Sequence, residues 1–288
     1  MKEKNNRKFY DEAFLEIFTN RKIVKSLLQD FIKEEWIELI DFSSMKTEKS
    51  VFKGISDSKR ESDLLLRFDL NSDAPSLQST SRTLYIYMLI EFQSKSKPII
   101  MRVFEYLLRI YKKQFKKSRL LYPVIPIVIY NGEESWTEKR NLLDHFTFYN
   151  DDLSKYLPVF EYFLIDIARF DDKLLKRLKG AASAFFLLDK TDLTQREKSE
   201  KRIVGILKKL IHSNPEIYNL LGRYILELLQ YKGVEIPEIN DYINDRGESM
   251  LAQSMDKLYE QGIEQGIEQG VEQGIEQDKI ETARRMLA

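Results

Sequence analysis

A mixed α/β fold is what the sequence predicts, and three observations carry the prediction. Two apolar, strand-like stretches lie close together, Leu64 to Leu70 and Thr83 to Gln93. A helix-period stripe follows at Ile100, Val103, Phe104, Leu107, Leu108, Tyr111 and Phe115, and then Pro123 to Tyr130 forms a strand-length apolar run closed by Asn131-Gly132. Beyond Ile167 the apolar residues recur at helical spacing.

In chain order, Phe14, Phe18, Val24, Leu27, Leu28 and Phe31 mark one or two amphipathic helices, with Asn20-Arg21 as the interruption. Trp36 to Phe52 is ambiguous, with an edge strand expected around Val51. Asn71 to Arg82, rich in Ser, Asp and Pro, is a loop longer than a tight hairpin turn. Ser96 and Pro98 signal a helix start. Val159 to Ile167 reads as a further strand, and Leu174–Leu188, Glu197–His212 and Glu216–Gln230 read as helices punctuated by Asn214-Pro215 and Gly233. The organisation expected is a main domain over 1–190, a helical accessory region over 191–250 and a tail over 251–288. In the tail Glu-Gln-Gly-Ile recurs with Gly at 262, 266, 270 and 274. A period of four overshoots the helical turn, so the Ile263, Ile267, Val271 and Ile275 stripe winds around a helix instead of forming a seam, and each Gly costs about 1 kcal/mol against Ala. Left alone, such a tail is expected to fray; the competing reading makes it a helix through which copies of the chain form a homo-oligomer.

Composition bounds the function. With 43% hydrophobic residues among 288 the chain can build a sizeable core, and the lack of cysteine rules out disulfides and thiolate zinc sites. The start lacks the apolar segment of a secretory signal, and no apolar run reaches membrane-spanning length, so a cytoplasmic location is expected. Net charge is zero, 46 basic against 46 acidic residues, but the charge is unevenly spread: Lys95 to Arg119 holds nine Lys or Arg and one acid, whereas Leu251 to the end holds eight acids and four bases. Arg102, Arg109, Lys113 and Lys116 share one helix face. A face of that kind attracts phosphates, although charge runs are more often simply solvated.

The chemistry is expected at the strand ends. Asp63 opens one strand and Glu91 closes the other, followed at strand spacing by Gln93, so that Glu91 and Gln93 share a face. If the strands pair, two carboxylates and an amide come together, a donor set suited to Mg²⁺, or Mn²⁺, at a phosphodiester-cleaving centre. The bland alternatives are a turn or capping role for Asp63, a surface ion pair for Glu91 and an edge-satisfying amide for Gln93. His145 and His212 are isolated and suggest no dyad. Tyr130 and Trp136 suit either base stacking or a packed corner.

Asp63, Glu91-Phe92-Gln93-Ser94, Arg102, Tyr106, Pro126 to Gly132 and Trp136 together resemble the recombination-promoting nuclease (Rpn) family, also grouped as transposases, within the PD-(D/E)XK nuclease superfamily. Asp11-Glu12-Ala13-Phe14 is similar to the family's Asp-x-x-Phe-Lys start, with Leu15 in place of the Lys. The resemblance spans roughly residues 8 to 190. It implies a PD-(D/E)XK-like αβββαβ core, a Mg²⁺-dependent DNA endonuclease linked to recombination or mobile elements, metal held by Asp63 and Glu91, and Asp11 as an upstream acid, Glu16 being the other candidate. The superfamily's catalytic lysine position holds Gln93, which supplies no charge; Lys59, Arg60, Lys95 and Lys97 flank the acids as candidate replacements. DNA binding is then expected along Arg102, Arg109, Lys113 and Lys116. The alternatives are a nuclease-like fold that binds DNA without cutting it, and a protein-interaction module acting through the helical region and tail.

Overall fold

A computed structural model describes residues 2–48, 63–71, 82–91, 97–132, 134–148 and 150–244. Among these, a five-stranded sheet is built from β1 (Ile40–Thr47), β2 (Asp63–Leu70), β3 (Thr83–Glu91), β4 (Val124–Tyr130) and β5 (Phe163–Asp166), which lie side by side in chain order. β1, β2 and β3 pair antiparallel, whereas β3–β4 and β4–β5 are parallel. A parallel step requires a crossover, and α3 (Ile100–Ser118) supplies the one from β3 to β4. With α1 (Lys2–Thr19) and α2 (Arg21–Phe31) ahead of the strands, the fold is α/β with the helix–strand–strand–strand–helix–strand order expected. The edge strand lies at Ile40–Thr47; Val51, where it was expected, is outside the described residues.

The two-residue strand period sorts side chains between two cores. Leu64, Leu66, Phe68, Ile86, Met88 and Ile90 face α1, α2 and the C-terminal helices, while Leu65, Tyr87, Leu89, Val128 and Tyr130 pack under Val103, Leu107 and Ile110 of α3. Covered on both faces, β4 accordingly reads as an unbroken apolar run. The second half contributes α4 (Asp151–Ser154), α5 (Asp172–Leu178), α6 (Ala181–Asp189), α7 (Arg196–Ser213) and α8 (Pro215–Lys232). Leu207, Tyr218, Leu221 and Ile225 from the last two helices join the same core as Phe14 and Phe18 of α1. The Phe9 ring stacks on Tyr231 with centroids 4.4 Å apart. Among the described residues, no helix is long and apolar enough to cross a membrane. The repeat tail, residues 251–288, lies outside the described residues.

Two helix breaks have local causes. Asn20 caps α2, its side chain accepting from Lys22 N (2.9 Å) and Ile23 N (3.3 Å), and so divides the first amphipathic stretch. The run from Leu174 to Leu188, expected as one helix, breaks into α5 and α6 where Lys179 turns to a φ of 57° and Gly180 follows. Gly180 abuts α2: a Cβ there would lie 2.1 Å from both Ser26 Oγ and Asp30 Oδ2. Ser26 Oγ meanwhile accepts from Ala182 N at 3.1 Å, capping α6 from another helix. Gly180→Ala is therefore expected to destabilise the fold by about 1–3 kcal/mol through overpacking. Among the described residues Gly205 of α7 has nothing within 4 Å of its Cβ position, and Gly205→Ala should stabilise by about 0.8–1 kcal/mol through helix propensity. Urea midpoints at unchanged slope check both, and equal shifts for the two variants would contradict the packing account.

Candidate active site

The register of the central strands assembles the site. Asp63, the first residue of β2, pairs with Leu89 of β3. Glu91 lies two residues further along β3, so it is the diagonal neighbour of Asp63 on the same face, within reach of long side chains. That face is the one covered by α3, whose first turn carries Arg102. The Arg102 guanidinium spans the pair: Nη1 donates to Glu91 Oε1, and Nη2 lies 3.4 Å from Asp63 Oδ1. All three side chains are withdrawn from solvent, with exposures of 2% for Asp63, 1% for Glu91 and 15% for Arg102. A buried carboxylate requires a partner, and a planar guanidinium serves two at once.

The electrostatics follow from this burial. Desolvation pushes the Asp63 carboxyl above its ordinary range, against the restraining effect of the Tyr106 hydroxyl and Arg102. Desolvation works against the Arg102 cation, but the nearby Glu91 and Asp63 charges together outweigh it and raise Arg102, so it stays cationic. Burial, and then the neighbouring Asp63, holds the Tyr87 phenol protonated. Its ring packs against Tyr106 at 5.2 Å, forming an aromatic wall beside the acids. Among the described residues Asp63 Oδ2 is buried and meets no donor at full hydrogen-bond geometry, with the Tyr106 hydroxyl beside the carboxylate. An oxygen lone pair held in that way is suited to a cation. Two hard carboxylate oxygens fit Mg²⁺, which takes one or two carboxylates and completes its shell with waters and substrate oxygens. Among the described residues no group of three or more acidic, His or Cys side chains gathers, so a larger protein cage is not formed there.

The other candidates are placed as follows. Asp11 lies on α1, and its side chain is outside the described residues, as are Gln93, Lys59, Arg60 and Lys95. Lys97 is exposed, and Glu16, also exposed, pairs with Arg223 of α8. Of the four residues expected to form one basic face, Arg102 is turned inward onto the acids. Arg109 pairs with Glu105 one turn away, Lys113 lines a cleft towards β2, and Lys116 lies on the other flank of α3 with Leu108, Phe115 and Leu121. Tyr130 and Trp136 are buried and meet edge to face at 4.9 Å, with Asp166 Oδ2 accepting from Trp136 N (2.9 Å), so they form a packed corner. Asn131 next to them donates to Asp189 (2.8 Å), which also accepts from the Tyr224 hydroxyl and ties the end of β4 to α8. His145 is exposed beside the Lys139 carbonyl; the His212 side chain is outside the described residues. Sequence reasoning missed the bridging role of Arg102. The available signal was its place in the first turn after Glu91, which brings it back over the strand ends.

Fold and site together define an α/β protein whose central sheet presents a buried pair of carboxylates, clamped by an arginine, at adjoining strand ends. The chain belongs to the family described as "Putative transposase, YhgA-like", whose model matches residues 8–211. No curated protein and no solved structure was found to match it.

Proposed function

We propose that this protein is a metal-dependent DNA endonuclease acting in recombination or in the movement of mobile elements. The observation that carries the reading is the convergence of Asp63 and Glu91 from adjacent strands, both buried, with Asp63 Oδ2 lacking a full hydrogen bond among the described residues. Membership in a transposase family supports DNA as the substrate. Asp63 and Glu91 would hold Mg²⁺ or Mn²⁺, which when bound acidifies a coordinated water and shields charge on the phosphate. Arg102 holds the two carboxylates in register and places a permanent positive charge at the centre, a charge that Gln93, at the position of the superfamily's lysine, does not supply. Gln93, as an amide, is suited to orienting a water and not to removing its proton. Hydrolysis joins the water oxygen to phosphorus, breaks one bridging P–O bond and leaves the proton on the departing oxygen.

Supercoiled plasmid incubated with Mg²⁺ or Mn²⁺ tests this. Wild type is expected to nick the plasmid, and Glu91→Ala to lose nicking while keeping DNA affinity in a mobility shift, since a ligand to metal has been removed and not a DNA contact. Full nicking by Glu91→Ala would overturn the assignment. A second reading has its own support: the guanidinium clamp already engages both acids, as in a nuclease-like fold that binds DNA without cutting it. In that case wild type and Glu91→Ala bind alike and neither nicks.

A further inference from the structure

A second polar feature lies on the same face of the sheet. Asp63, Leu65 and Arg67 alternate along β2, so Arg67 stands four residues, about 13 Å, from the acid pair on the side covered by α3. There a cavity of about 220 Å³ is lined by Arg67 and Tyr85 of the sheet, Lys113, Gln114 and Lys117 of α3, and Tyr122 beyond it. Three cations line it against one carboxylate, Glu48, and one of the three, Arg67, also pairs with Asp69 at 3.1 Å. The Tyr85 and Tyr122 rings stand 6.1 Å apart at its side.

Gln114 is the informative residue. It is 8% exposed, on the sheet-facing side of α3. Its Oε1 accepts from Tyr122 N at 2.9 Å, which fixes the amide orientation and leaves Nε2 as a donor. Among the described residues that Nε2 is buried without an acceptor. A buried N–H left unpaired is costly, and Gln114 lines a cavity rimmed by Arg67, Lys113 and Lys117, whose charge favours an anionic oxygen as the acceptor. Lys113 and Lys117 are one helical turn apart and approach the cavity from the same flank.

We propose that this cavity is an anion subsite that takes a phosphate of the nucleic-acid substrate a few nucleotides from the acid pair. Gln114 Nε2 donates to a phosphate oxygen, with Lys117 and Arg67 supplying charge. The inference rests on the nuclease reading for the identity of its ligand, and the chemistry is shared by a free phosphate and a backbone phosphodiester.

Gln114→Glu separates the roles, because it keeps the acceptor for Tyr122 N and replaces the donor by an oxygen. Lys117→Ala removes one charge at the exposed rim. Full-length protein is titrated with a fluorescein-labelled DNA duplex in EDTA across a salt series, and in parallel with inorganic phosphate as competitor. Gln114→Glu is expected to weaken duplex binding about tenfold or more, and Lys117→Ala to lower the salt slope by about one contact, roughly 0.9. If Gln114→Glu fails to fold, as read by its melting profile, the Lys117→Ala slope decides alone. Unchanged affinity and slope overturn the subsite, as does inorganic phosphate that binds wild type, and not Gln114→Glu, without competing with the duplex. Because EDTA removes cleavage from the readout, weakened binding with no nicking by wild type would overturn only the nuclease reading. Normal nicking with unaltered binding by both variants would overturn only the subsite.

Discussion

Arg102→Ala is expected to destabilise the metal-free protein by about 3–5 kcal/mol, the loss typical of removing one partner from a buried ion pair. The magnitude follows from geometry: Asp63 and Glu91 are 2% and 1% exposed, and without the guanidinium two like charges would share a desolvated site. Arg102→Lys should lose less than Arg102→Ala, because an ammonium keeps the charge but not the fork that reaches both acids. Chemical denaturation in EDTA measures the difference. Repeating it in Mg²⁺ should recover part of the loss, since ligand binding to the folded state at a hundred times its Kd adds about 2.7 kcal/mol. If Arg102→Ala stays within about 0.5 kcal/mol of wild type, as an ordinary surface substitution does, the clamp is not holding the acid pair together.

Asp63→Asn is expected to cut nicking to below about one thousandth of wild type while making the metal-free protein more stable at neutral pH. Activity falls because the amide is a poor replacement for a carboxylate ligand to a hard divalent cation. Stability rises because the substitution removes a charge whose burial is unfavourable. The sign follows from the Asp63 carboxyl lying above its ordinary range when folded. The unfolded chain gives up that proton first, so wild type carries the penalty once pH rises past the unfolded value near 4, and in full above the folded value. The advantage of Asp63→Asn should therefore be largest at neutral pH and close as pH falls towards 4. Added Mg²⁺ should raise the melting temperature of wild type and leave that of Asp63→Asn unmoved. An equal rise in both would place the cation elsewhere.

Period and punctuation in the sequence determined the elements. The apolar stretches Leu64 to Leu70 and Thr83 to Gln93, the latter described as far as Glu91, the helical stripe from Ile100 to Phe115 and the apolar run into Asn131-Gly132 became the elements they foretold, because each pattern reflects a local constraint on which side chains face a core. Asp63 and Glu91 were legible as partners for a related reason: both stand at the polar ends of apolar strands. Pairing was what sequence left open. Only the register that sets Asp63 against Leu89 makes Glu91 its diagonal neighbour, and register is a tertiary choice.

The arginines and lysines of α3 show the same boundary. Helical spacing put Arg102, Arg109, Lys113 and Lys116 on one face, but spacing cannot report what stands opposite that face. Arg102 meets two buried acids and turns inward, Lys113 opens onto the Gln114 cleft with Lys117, and Lys116 lies on the other flank with Phe115 and Leu121. The break at Gly180 was hidden likewise, since the side chains that demand it, Ser26 and Asp30, lie about 150 residues upstream. Sequence by itself therefore determined the repertoire of elements and the chemical identity of the acid pair, because both are properties of short stretches of chain. The clamp on that pair and the orphan amide of Gln114 were decided by tertiary structure alone, because each depends on which distant groups share a buried volume and on the cost of leaving charge or hydrogen bonds unmatched within it.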